Sequence, residues 1–151
     1  MSQSIPKGFR PLAFAMGFIE ANGPLYGNWD GTRMLLGFRV EPRHCNPANV
    51  AHGGMLATFA DMLLPIAARF QAKIDMGFLP TVNLTCDFLA PAPLGAWVEG
   101  RAEALRSGKT LLFAQGTAEA DGKLCLRANG VFRVTGPVAG GFSPELMFKD
   151  A

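Results

Sequence analysis

Asn46-Pro47-Ala48-Asn49-Val50-Ala51-His52-Gly53-Gly54 runs straight into Met55-Leu56-Ala57-Thr58-Phe59-Ala60-Asp61-Met62-Leu63-Leu64, and these two stretches decide the fold. From about His52 to Ala72 the chain has no strand alternation and supplies Met, Leu, Phe and Ala almost continuously, which predicts a helix. Met55, Leu56, Phe59, Ala60, Leu63, Leu64, Ile66, Ala67 and Phe70 cover most of its circumference, as in a helix buried inside a domain or between subunits. Asp61 interrupts that surface. No Lys or Arg stands three or four residues from it, and the nearest helical cation, Arg69, is two turns away. A buried, unpaired carboxylate has a raised pKa, and such groups concentrate at active sites. Thr58, Asp61 and Arg69 also fall roughly along one side, so a solvated helix face is the competing reading. Pro65 cannot donate to the carbonyl of Asp61, so a bend is expected there.

The rest of the composition narrows the function classes. At 151 residues, 49% hydrophobic and 17% charged, the chain suits one domain, 1–151, with a real core and no low-complexity segment. The net charge is +2 and the basic residues are scattered, which argues against a nucleic-acid-binding stripe. Met1 to Gly8 carries no apolar signal core and no apolar run has the length of a membrane span, so a cytoplasmic protein without a membrane partner is expected. Cys45, Cys86 and Cys125 are widely spaced without a CxxC, which indicates neither a disulfide framework nor a metal site.

Downstream, Pro80 to Leu89 alternates: Val82, Leu84, Cys86 and Phe88 fall on one face, Thr81, Asn83, Thr85 and Asp87 on the other. Three more alternating runs follow, at about Trp97–Leu105, Leu111–Ala120 and Leu124–Val134, with Ser107-Gly108 and Asp121-Gly122 as two-residue hairpin signals. One face of this meander is built of small residues: Gly100, Ala102 and Ala104, then Ala114, Gly116 and Ala118, then Ala128 and Gly130. Small side chains invite close approach by something thick, and the long apolar helix is the available partner. The expected class is therefore α+β, a curved antiparallel sheet wrapped around helix 52–72, with Met34–Glu41 as a preceding strand. Leu12 to Glu20 reads as a short helix ended by Ala21-Asn22-Gly23-Pro24, its Phe14, Phe18 and Ile19 capping a ligand tunnel or closing the core. Beyond Thr135, Gly136-Pro137 and Gly140-Gly141 break regular structure, and a mobile or loosely docked tail is expected.

Gly53 and Gly54 at a helix start expose backbone N–H groups without intrahelical acceptors, where the helix dipole adds partial positive charge. Aimed at a carbonyl, such donors form an oxyanion hole. Gly53 and Asp61 are eight residues apart, hence separated by about 12 Å along one helix, and cannot act on one carbonyl together. If both serve one reaction, the acid comes from a second copy of the helix, antiparallel across a two-fold axis. An obligate homodimer with two composite sites follows.

In Asn46, His52-Gly53-Gly54, Asp61 and the strand Thr81–Phe88 followed by Ala90-Pro91-Ala92, the chain resembles the hotdog-fold acyl-CoA thioesterases, in the branch of the phenylacetate-pathway thioesterase and the human thioesterase superfamily members. The resemblance covers roughly residues 30 to 135. It implies a hotdog fold and hydrolysis of an acyl-CoA thioester, with coenzyme A as part of the substrate and no further cofactor or metal. By the same resemblance Asp61 is the nucleophile or the general base for water, and Gly53 polarises the thioester carbonyl. Asn46 helps hold the carbonyl or the water, and Thr81 orients the attacking water. His52 supports the loop more than it performs chemistry, and with Gly54 it is expected at the substrate. Coenzyme A is expected near the dimer seam, with Arg43, Arg106 and Lys109 as conceivable phosphate contacts, and dimers can pair into a tetramer. Two other readings share the fold: a non-catalytic acyl-CoA binder or sensor, and a hydratase or dehydratase. The hydratase pattern has a closely spaced Asp and His before the helix, where this chain has Asn46-Pro47. Medium-chain and aromatic acyl groups fit the residues alike.

Overall fold

In the computed structural model, which describes residues 3–13, 16–74, 78–136 and 143–149, the elements run β1 (Arg10–Pro11), α1 (Gly17–Asn22), β2 (Tyr26–Trp29), β3 (Met34–Arg39), α2 (Gly53–Gln71), β4 (Thr81–Phe88), β5 (Trp97–Ser107), β6 (Leu111–Ala120) and β7 (Lys123–Arg133). The strands form one antiparallel sheet in the order β1-β2-β3-β5-β6-β7-β4, and α2 lies against its inner face in the hotdog arrangement. No helix among the described residues is long and apolar enough to cross a membrane.

The stripe of small residues seats the helix. A Cβ added at Gly100 would lie 2.5 Å from a Leu63 methyl and 2.9 Å from the Phe59 ring, and one at Gly116 would lie 3.1 Å from a Leu64 methyl. Phe59, Leu63 and Leu64 are fully buried as a result. Helix α2 continues through Pro65. From Gly53 to Arg69 its circumference is buried except along one stripe, where Gly53, Ala57, Thr58, Asp61, Met62 and Pro65 are half-buried and Gly54 is exposed. Arg69 is 4% exposed and does not share a solvated face with Asp61.

Several expectations are corrected. A bulge between Thr81 and Asn83 shifts the β4–β7 register, so that Thr81 pairs with Phe132 while Leu84, Cys86 and Phe88 pair with Gly130, Ala128 and Leu126. Thr81 therefore joins Leu84 and Cys86 on the helix side, and Val82, 61% exposed, leaves it. At the β5–β6 hairpin, Gly108 N–H donates to the Leu111 carbonyl, so the turn residues are Lys109 and Thr110 and not Ser107-Gly108. Asp121 and Gly122 both have positive φ, 47° and 83°, as a two-residue hairpin turn requires.

The N-terminal helix begins at Gly17, later than expected, because Leu12 is engaged elsewhere: its N–H donates to the Leu25 carbonyl, and it bridges Phe148. Phe18 is 67% exposed and closes no core, Ile19 is half-buried, and Phe14 lies outside the described residues. After residues 137–142, also outside them, a 3-10 turn over Pro144–Met147 docks firmly, with Met147 and Phe148 buried and Arg10 stacked 4.2 Å over the Phe148 ring. A loosely held end is thus corrected to a strap across β1. Strands β1 and β2 carry no sequence periodicity of their own and form by pairing, β2 on β3 and β1 on β2.

Candidate active site

The start of α2 is built by the two histidines. His52 is the N-cap, with extended φ and ψ of −60° and 141°, and its Nδ1 accepts the Gly54 N–H at 2.8 Å. This fixes the neutral tautomer with hydrogen on Nε2, and it occupies the Gly54 donor, which is therefore unavailable to a substrate. The Gly53 N–H has no acceptor among the described residues and is the donor that remains. A side chain on Gly53 would stand 3.5 Å from the Phe88 ring, and an apolar hollow beside it is lined by Leu56, Phe88, Leu89 and Pro91.

His44, 2% exposed, anchors the preceding loop. Its carbonyl accepts the His52 N–H at 2.8 Å, its Nδ1 accepts the Glu41 N–H at 3.0 Å, and its Nε2 faces the Asn22 carbonyl at 2.8 Å. With Nδ1 accepting, Nε2 donates. Burial lowers the His44 pKa below the usual histidine range. Arg43 beside it pairs with Glu41 at 2.9 Å and donates to the Gly23 carbonyl, so its charge is already engaged. The sequence reading overlooked His44; its one signal is Glu41 three residues earlier, the spacing of a reciprocal cap. In the same loop Asn46 Oδ1 accepts the Ala48 N–H at 2.9 Å, which holds the turn and leaves the Asn46 amide N–H groups as donors.

Asp61 sits half-buried on the open stripe of α2, and Thr81 Oγ1 donates to its Oδ1 at 2.5 Å. The acid is therefore not the unpartnered buried carboxylate that its helical neighbours imply: its partner comes from β4, turned inward by the bulge. Cys86 lies on the same strand face, where burial, and then the charges of Asp61 and Asp87, push its thiol pKa up. One chain thus joins Asp61 to Thr81 and sets Gly53 against Phe88, while eight helical residues keep Asp61 and Gly53 about 12 Å apart. No hydrogen bond among the described residues links Asn46 to Asp61, Gly53 or Thr81. Arg106 and Lys109 are exposed at the β5–β6 hairpin. The arrangement offers a carboxylate with an orienting hydroxyl on one patch and an unsatisfied backbone donor on another.

The sequence model of the thioesterase superfamily matches residues 48–125, which hold α2 and strands β4 to β6. A Pseudomonas aeruginosa protein that bears the provisional name esterase is 32% identical over 132 residues, 87% of this chain and 98% of its own length. Human acyl-coenzyme A thioesterase 13 is 32% identical over 94 residues, 61% of this chain and 66% of that protein. The fold is matched by the crystal structure of a hypothetical thioesterase from Streptococcus pneumoniae with coenzyme A, at a TM-score of 0.68 and 19% identity, covering 80% of this chain and 93% of that one. On the family match and the near full-length relative, this chain belongs to the thioesterase superfamily.

Proposed function

We propose that the chain is an acyl-CoA thioesterase acting as a homodimer, in which Asp61 of one protomer and the Gly53 N–H of the other face a single thioester. The observation that carries the proposal is the Thr81–Asp61 hydrogen bond at 2.5 Å, which holds a carboxylate at the half-buried stripe of α2. Acyl-CoA thioesterase 13 being a relative, and the coenzyme A in the Streptococcus structure, support the substrate class. The dimer is supported by surfaces that a lone chain leaves open: the α2 stripe and the edge strand β4, where Val82 is 61% and Phe88 53% exposed.

In the general-base course, water held by Thr81 attacks the thioester carbon while Asp61 takes its proton. The carbonyl π electrons move to oxygen, and the Gly53 N–H of the facing protomer donates to that oxyanion, assisted by the Asn46 amide. Collapse re-forms the carbonyl and breaks the C–S bond. The sulfur leaves with the electron pair and takes the proton from Asp61, giving acid and free thiol. In the nucleophilic course the Asp61 carboxylate attacks the thioester carbon and the C–S bond breaks with its electron pair leaving on sulfur. Water then cleaves the mixed anhydride, which restores the Asp61 carboxylate, and the thiolate takes up the proton that the water releases, giving acid and free thiol. His52 and Gly54 shape the site through the cap that leaves Gly53 free.

Free-thiol release from short, medium and aromatic acyl-CoAs tests this. Wild type should release thiol, and Asp61→Asn should lose it by about 10²–10⁴-fold while staying folded. Tight binding of acyl-CoA without thiol release by wild type would replace the hydrolase with a non-catalytic binder.

A further inference from the structure

On the far side of the α2 stripe from Thr81, a cavity of about 290 Å³ lies between α1 and α2. Leu12, Ile19, Leu25 and Met62 supply its apolar walls, and Glu20, Arg43 and Lys149 its polar side. Only Met62 of these falls within residues 48–125, so the cavity is made by the parts of this chain outside the family match. Its walls are tied in place. Leu12 pairs with Leu25 and bridges Phe148, and the end of α1 is fastened through the Asn22 carbonyl to His44 and through the Gly23 carbonyl to Arg43. Helix α1 itself buries no residue, so it covers the space without filling it.

Met62 follows Asp61 directly, a rotation of about 100° around the helix. The stripe that presents Asp61 on one flank therefore borders the cavity on the other. Ligand pockets usually run to about 300–1,000 Å³, so a space this small encloses part of a ligand, such as a chain or one ring, and not a charged nucleotide. Resting on the thioester hydrolysis proposed above, we infer that this cavity receives the apolar end of the acyl group, and that Ile19 sets the length and bulk it admits. The carbonyl stays at Asp61, the chain passes Met62, and the coenzyme A arm leaves toward solvent.

The test is a chain-length profile of kcat/KM, from acetyl-CoA to palmitoyl-CoA with one arylacetyl-CoA, for wild type, Ile19→Trp and Ile19→Ala. Ile19→Trp fills the cavity: it should keep the rate on the shortest chain that wild type cleaves and lose about tenfold or more on the longest. Ile19→Ala should move the preference toward longer chains, and it decides the matter if the tryptophan variant fails to fold. Three superimposable profiles with wild-type hydrolysis intact would overturn the cavity assignment and leave the thioesterase standing. Wild type that cleaves none of these substrates would overturn both.

Discussion

Thr81 reaches Asp61 only because β4 gains one residue at Val82, and the chemistry of the carboxylate depends on that single irregularity. Thr81→Val keeps the shape and removes the donor. It should lower kcat by about ten- to a hundred-fold with KM little changed, read by steady-state thiol release. His52→Ala removes the N-cap acceptor of Gly54 and should cost about 1 kcal/mol of stability in denaturant unfolding. His44 titrates against folding. Its folded pKa lies below the usual 6.5, so the unfolded chain binds the extra proton first. The stability it contributes is complete above that value and declines as pH falls below it toward the folded pKa. His44→Gln should flatten this part of a stability-versus-pH curve. Asp61 could be singled out in the sequence because no cation stands within one helical turn of it. Its partner was reached through the family resemblance alone, since strict alternation assigns Thr81 to the opposite face, and the bulge is settled by pairing with Phe132 some fifty residues on.

Helix α2 and strands β3 to β7 were legible because their patterns are long enough to survive the local bulges in β4 and β5, and the run of Gly and Ala in β5, β6 and β7 named the surface on which the helix rests. Gly100→Val tests that seat. With Leu63 and Phe59 already inside contact distance of an added Cβ, overpacking should destabilise the fold by about 1–3 kcal/mol, seen as a lower denaturant midpoint at unchanged slope. The terminal elements were not legible for the opposite reason. Four-residue β2 exists through pairing with β3, and two-residue β1 through pairing with β2 and the strap at Phe148, and no local pattern encodes these pairings. The same strap explains why the end of the chain is docked: Met147 and Phe148 are apolar and find the space left by Leu12 and Gly27.

At the scale of the whole molecule, the separation of Gly53 from Asp61 is the decisive fact. One straight helix cannot bring its first residue and its ninth to one carbonyl, and antiparallel pairing of two such helices can. Gly53→Pro offers a clean probe, because proline is favoured at the first helical position, His52 already has the extended conformation that a residue before proline needs, and only the donor is lost. That variant and Asp61→Asn should each be nearly inactive, the first by about 10²–10³-fold. The most direct measurement is thiol release by dimers re-formed from an equal mixture of the two. A composite site predicts recovery to about a quarter of the wild-type rate, since half the dimers are mixed and each mixed dimer holds one intact site. No recovery, with mixed dimers demonstrated to form, would contradict a site shared between protomers.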